Sequence, residues 1–174
     1  MKEWPTLSFE DLNFGASALD GVSSENTEIL NEEQIKEKVG SSSKTFNNSK
    51  YDFSFKYPDG FNISEFKEGE GDIVLAQMQG KEIGFQFFIM PFDEPGPITA
   101  ERIKQDLPDM KINNPQSVII GKNNIKALIF FTNDSGFGLA REVWFIYQGN
   151  LYQVSTYAKL DLFIGQVLST LSFK

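Results

Sequence analysis

The 174-residue sequence has no cysteine and no histidine, and these two absences close off most familiar site chemistries. A structural zinc or a copper site loses its usual thiolate and imidazole ligands. Neither a Ser-His-Asp nor a Cys-His nucleophile system can be assembled. The commonest general base is missing as well. Cysteine absence says nothing of compartment, because a reducing cytosol and a disulfide-free secreted protein both permit it. Positive charge is also scarce: 16 Lys and Arg face 24 Asp and Glu, giving a net charge of −8 and a pI near 4.6. With no Lys or Arg cluster to gather phosphates, nucleic acid is excluded as the expected partner, and an anionic membrane surface likewise. No apolar run approaches the ~20 residues that span a bilayer. Met1 to Asp20 lacks the apolar stretch of a signal peptide. The chain as it stands is therefore expected to be soluble and unanchored. If it works outside the cytoplasm, a targeting segment is expected to have been either removed or never present.

What is present is aromatic. Of the 17 Phe, only Phe9, Phe14 and Phe46 precede Tyr51, which places the core-forming material in residues 51–174. A unit of roughly 125 residues buries enough surface to fold without disulfide or metal. Residues 1–50 read as a polar, acidic tail or linker, with "GVSSEN" and "GSSSKTFNNSK" as its low-complexity parts. One short helix is expected in it at about 32–39, from Asn31 as N-cap, Gln34 at the capping-box position, Ile35 and Val39 four apart and Gly40 as stop.

From Tyr51 on, alternation and turn residues mark a series of strands. In "YDFSFKYPDGF", Phe53, Phe55 and Tyr57 alternate with polar residues before Pro58, Asp59 and Gly60 turn the chain. Further strands are expected at Ile73 to Gln79, Ile83 to Phe92, Ser117 to Ile120, Ile125 to Thr132, Leu139 to Tyr147 and Leu151 to Tyr157, the last two joined through Gly149 and Asn150. The strand at 83–92 is apolar on both sides and must be covered on both faces. Thr99 can cap a helix ending near Leu107, ahead of Pro108. Leu160, Phe163, Ile164, Val167, Leu168 and Leu171 form one apolar helical stripe, with Ser172 to Lys174 as a closing extended segment. The expected fold class is α+β: a central antiparallel sheet of about six strands flanked by helices, an α/β/α sandwich.

These landmarks resemble the PsbP-like fold, shared by the photosystem II extrinsic protein and many small bacterial proteins. The resemblance is carried by "FSFKYPDGF", by "REVWFIYQGNLYQVSTYA" and by the closing "LSTLSF", and covers about residues 51–174. Phe61 stands where the common bacterial form is expected to have Trp. The resemblance implies a non-catalytic accessory or assembly role, in bacteria often as an envelope lipoprotein, and so favours an extracytoplasmic location. The lipobox cysteine of such a lipoprotein is absent here.

Several constellations invite functional readings. Glu65, Glu68, Glu70 and Asp72 suggest calcium, but counting from Glu68 puts Ile73 at position 6 and Gln79 at position 12, where an EF-hand needs Gly and Glu. A solvated turn is the better reading. Gly136 and Gly138 lack the third glycine and following helix of a phosphate loop and read as a hairpin turn. Phe137 between them either presents itself as a contact residue or, the better reading, tucks onto the sheet. Arg141 and Glu142 are neighbours on a strand, so they point to opposite faces and cannot act as a catalytic pair. Trp144, Tyr147, Tyr152 and Tyr157 could line a ligand pocket, though core and rim packing explains them more simply. Asn47, Asn62 and Asn133 match the N-glycosylation pattern, which matters only in a secretory host.

The sequence thus identifies no catalytic, cofactor-binding or metal-ligating residue, and singles out no binding residue or oligomeric state. The function it supports is a non-enzymatic domain that binds another protein, in or at the cell envelope. The alternatives are a small-ligand binder with an aromatic pocket between sheet and helix, and a chaperone for apolar segments of a secreted client.

Overall fold

A capping box starts the first element. In the computed structural model, which describes residues 28–134 and 137–174, the Asn31 side chain accepts from the Gln34 backbone N–H and the Gln34 side chain accepts from the Asn31 N–H, each at 2.9 Å. This satisfies two donors that a helix start leaves open. Helix α1 then runs over Glu32–Val39 and buries Ile35. It leads into strand β1 (Ser43–Asn48), which pairs antiparallel along its whole length with β2 (Phe53–Pro58). The expected tail boundary at residue 50 therefore falls inside a β-hairpin. β1 carries one partly buried aromatic, Phe46, among polar residues, and the pattern of a half-solvated strand resembles that of a linker.

Among the described residues, ten strands form two sheets. The small one has the order β1-β2-β10, where β10 is Ser172–Phe173. The large one has seven strands rather than about six, in the order β3-β4-β5-β9-β8-β7-β6, and every neighbouring pair is antiparallel. Its members are β3 (Asn62–Glu68), β4 (Gly71–Gln77), β5 (Gly84–Pro91), β6 (Asn113–Ile120), β7 (Ile125–Asp134), β8 (Gly138–Tyr147) and β9 (Asn150–Tyr157). Two more helices lie among the described residues: α2 (Ala100–Asp106), capped by the Thr99 hydroxyl, and α3 (Asp161–Ser169), entered through a 3-10 turn at Ala158–Leu160.

The layering departs from an α/β/α sandwich. One face of the large sheet, with Phe85, Phe87, Val143, Phe145, Tyr152 and Val154, packs under both helix α3 and the small sheet. Phe53 and Phe55 of β2 lie nearly parallel on Phe87, at 5.6 and 5.2 Å between centroids, while Phe61 and Phe85 meet Phe163 of α3. Burying each such ring contributes on the order of 2 kcal/mol. The other face carries a smaller cluster, Leu128, Phe130, Trp144 and Leu151, capped by Ile98 and by Ile103 of α2. β5 is thus covered on both sides, fully at Phe85, Phe87 and Ile89 and partly at Phe88 and Met90.

Two turns show where backbone geometry dictates sequence. The β8–β9 hairpin turns on Gln148 and Gly149, both with positive φ (47° and 75°), one residue earlier than the expected Gly149 and Asn150. At Gly121, after β6, a Cβ would come within 2.7 Å of the Leu171 carbonyl oxygen, so the turn fits against the end of α3 only as glycine. The adjoining Asn123 side chain donates to the Phe173 carbonyl (3.2 Å) and accepts from the Phe173 N–H (2.8 Å). It thereby ties the large sheet's β6–β7 turn to the small sheet's last strand.

Candidate functional site

The two sheets splay apart at one end of β4 and leave a groove of about 380 Å³. One wall is the turn between β1 and β2. There the buried Asn48 accepts from the Tyr51 N–H through its side-chain oxygen (2.9 Å), a turn that an asparagine closes locally. The other wall is the β3–β4 hairpin. Asn48 reaches across to it, donating to Glu65 at 2.9 Å. The Lys50 ammonium and the Tyr51 hydroxyl both reach Asp72 at the start of β4. Tyr51 in turn stands edge-on to the buried Tyr152 (6.2 Å, 74°).

These contacts set the protonation chemistry of the groove. Hydrogen bonds from Lys50 and then Tyr51 hold the Asp72 carboxyl below its ordinary range. The same bond to Asp72 holds the Lys50 ammonium above its ordinary value. Burial, followed by the hydrogen bond to Asp72, raises the Tyr51 phenol. All three groups are thus held in their neutral-pH forms, which suits a fixed wall rather than proton transfer. The unsatisfied feature is apolar. Phe66, on the edge strand β3, lines the groove and keeps 47% of its surface exposed. A second concavity lies past the other end of β4, lined by Leu30, Lys38, Lys81, Glu82, Ile83 and Lys159.

The acidic run singled out in the sequence is split by this geometry. Glu65 and Asp72 face the groove already partnered, Glu68 ends β3, and Glu70 sits in the turn. Among the described residues no group of three or more acidic side chains could hold a metal ion. The segment is more ordered than the solvated turn expected of it, since residues 62–68 form a strand.

Arg141 and Glu142 point to opposite faces, as adjacent strand residues must. Arg141, 1% exposed, donates through Nε to Asp161 at 2.6 Å and stacks over Phe131 at 3.9 Å. Its two terminal nitrogens and Asp161 Oδ2 have no hydrogen-bond partner. Glu142 accepts from the Trp144 indole (2.7 Å) and the Ser155 hydroxyl (2.8 Å). Both acids are locked into packing contacts.

The aromatic residues considered for a pocket do not converge. Trp144 belongs to the smaller cluster, Tyr152 stacks on Phe145 (4.7 Å) in the main core, and Tyr147 packs on Phe173 (4.2 Å). Phe137 tucks edge-on against Tyr157 at 5.0 Å. Gly138 opens β8 with φ 65°, while Gly136 lies outside the described residues. Asn47, Asn62 and Asn133 are all exposed. The site residues that sequence reasoning missed, Asn48, Lys50 and Phe66, carried no local signal, because it is the pairing of β1 and β3 into two different sheets that brings them together.

Comparison with known proteins bears on the fold. No family model matches the chain, and no curated protein does. Among solved structures, the solution structure of cyanobacterial PsbP (CyanoP) from Synechocystis sp. PCC 6803 superposes with a TM-score of 0.52 at 12% sequence identity, covering 76% of this chain and 93% of that one. The fold is PsbP-like. Among the described residues no helix is long and apolar enough to cross a membrane.

Proposed function

We propose that the chain is a non-catalytic accessory domain that binds another protein through the groove between its two sheets and the β3 edge beside it, working in or at the cell envelope. The observation that carries this reading is Phe66. It is a large aromatic left exposed on β3, whose outer edge takes no partner strand among the described residues, next to a groove in which Lys50 and Asp72 satisfy each other and Glu65 accepts from Asn48. Aromatic side chains at the rim of a shallow concavity are the usual anchors of protein interfaces. The PsbP-like fold supports an accessory role by analogy of architecture, and it also motivates the extracytoplasmic location. The absence of His and Cys, together with the structural engagement of Arg141, Glu142 and Asp161, supports a role without turnover. The small-ligand reading finds little room, because Phe61, Phe85 and Phe163 fill the space between α3 and the sheet.

Affinity capture from the source cells tests the proposal with three baits: wild type, Phe66→Ser, and Ile119→Ser as a control at an exposed residue on the opposite sheet edge. A specific partner retained by wild type and Ile119→Ser, and weakened by about 30-fold with Phe66→Ser, is the expected result, in line with loss of an aromatic anchor worth about 2 kcal/mol. Identical capture by all three baits would overturn the assignment of the groove.

A further inference from the structure

The second concavity has a composition unlike the rest of the molecule. Its volume is about 520 Å³, within the range of sites that take a few side chains. Three lysines reach it from three separate elements: Lys38 from the last turn of α1, Lys81 from the β4–β5 connection and Lys159 from the 3-10 turn before α3. Leu30 and the buried Ile83 supply apolar lining. Glu82 is the one acid in that lining, and its contact with Lys159 is long, at 3.5 Å, with the Glu82 side chain 80% exposed. In a chain of net charge −8, this leaves a net positive cavity with an apolar wall. Such a cavity complements a peptide that carries carboxylates beside apolar side chains.

The chain contains such a peptide close by. Residues 1–27 hold five acids and one lysine, and within them Phe9, Glu10, Asp11, Leu12, Asn13 and Phe14 place two carboxylates between phenylalanines. The described chain begins at Glu28, and Leu30, two residues on, lines the cavity and is fixed there by its N–H bond to the Lys159 carbonyl (2.9 Å). The sequence 9–14 is therefore tethered within about 20 residues of the cavity, at an effective concentration that is millimolar for a short linker. A flat anionic membrane fits less well, because the site is concave and the molecule around it is acidic.

We propose that the lysine-lined cavity is a docking site for acidic, phenylalanine-bearing peptide and that the chain's own residues 9–14 are its occupant. This site is separate from the groove at Phe66, so its test can fail without touching that reading. Full-length wild type is compared with Glu10→Lys/Asp11→Lys by amide chemical shifts. The amides of Lys38, Lys81, Ile83 and Lys159 should move, and adding Lys38→Glu/Lys81→Glu to the same chain should restore those of Ile83 and Lys159 by charge exchange. A synthetic peptide of residues 1–20, added to the Glu10→Lys/Asp11→Lys chain, should shift the same amides. Its Glu10→Gln/Asp11→Asn counterpart should bind at least tenfold more weakly. Amides at the cavity that ignore both the substitutions and the peptide would overturn the proposal. So would equal binding of the neutral peptide, or shifts produced by phosphatidylglycerol vesicles and not by the peptide.

Discussion

Arg141 and Asp161 decide how helix α3 meets the sheet, and they do so in a setting with almost no water. The side chains are 1% and 4% exposed, and a single 2.6 Å hydrogen bond with a ring contact to Phe131 satisfies only part of each group. Removing one partner leaves the other as a buried uncompensated charge. Asp161→Ala is expected to cost about 3–5 kcal/mol in urea unfolding, whereas Arg141→Met/Asp161→Leu together should recover most of that loss. Asp72 offers a different test, because its stabilisation depends on pH. Its folded carboxyl lies below the ordinary value of 3.8, so the ionised form favours the folded state. That contribution is present above about pH 4 and lost as pH falls through the folded value. The stability gap between wild type and Asp72→Asn should stay constant at neutral pH and close in acid, as followed by urea midpoints. Neither contact was legible as such in the sequence. The opposed directions of Arg141 and Glu142 follow from strand geometry alone, but Asp161 meets Arg141, and Lys50 meets Asp72, only through folding. Asp72 belongs to an acidic run that reads as a solvated turn once the EF-hand count fails, whereas in the fold its carboxylate accepts from an ammonium and a phenol.

At the scale of elements, the β8–β9 hairpin shows how far backbone geometry constrains a turn. Its two turn residues take left-handed φ, and only one of them is glycine. Gly149→Ala should cost about 1–2 kcal/mol in chemical unfolding, the ordinary cost of a side chain in that region. Elements with strong internal signals could be read directly: the capping box of α1, the Thr99 cap of α2, and the alternation of β2 and β5. Strands lacking such signals were missed. β3 lies at a sheet edge, with Ser64, Glu65, Lys67 and Glu68 exposed, a charged composition that protects edges and hides them from a search for apolar alternation. β1 escaped notice for the same reason. β6 extends back to Asn113 across an irregular register between Asn113 and Gln116, and Pro115 within that stretch argued against a strand. The three lysines of the second cavity span residues 38 to 159, so no window of sequence could have assembled them.

For the molecule as a whole, the main core is aromatic and Tyr152 is its most deeply placed phenol. Burial, and secondarily the nearby Tyr51 and Tyr147, pushes its ionisation well above the ordinary value of 10.0. A phenol that stays protonated longer in the folded state stabilises fully below pH 10 and loses that contribution as pH rises towards the folded value. Wild type should therefore lose stability above pH 10 more steeply than Tyr152→Phe, measured by thermal midpoints across an alkaline series. The small sheet is centred on β2, which takes β1 on one side and β10 on the other. Its β10 partners, Ser172 and Phe173, are more than a hundred residues from Ser54 and Phe53. Closing a contact across that length of chain costs more entropy than any hairpin in the fold. In kinetic terms the rung between β2 and β10, held by two paired residues, the Asn123 clamp and the bond from the Lys174 N–H to the Asp52 carbonyl, is expected to be the last to form and the first to open. The first opening expected of this protein is then one in which Phe173 swings away and the ring stack of Phe53 meets solvent while the seven-stranded sheet stays intact, an event that early hydrogen exchange at the Phe173 amide would report.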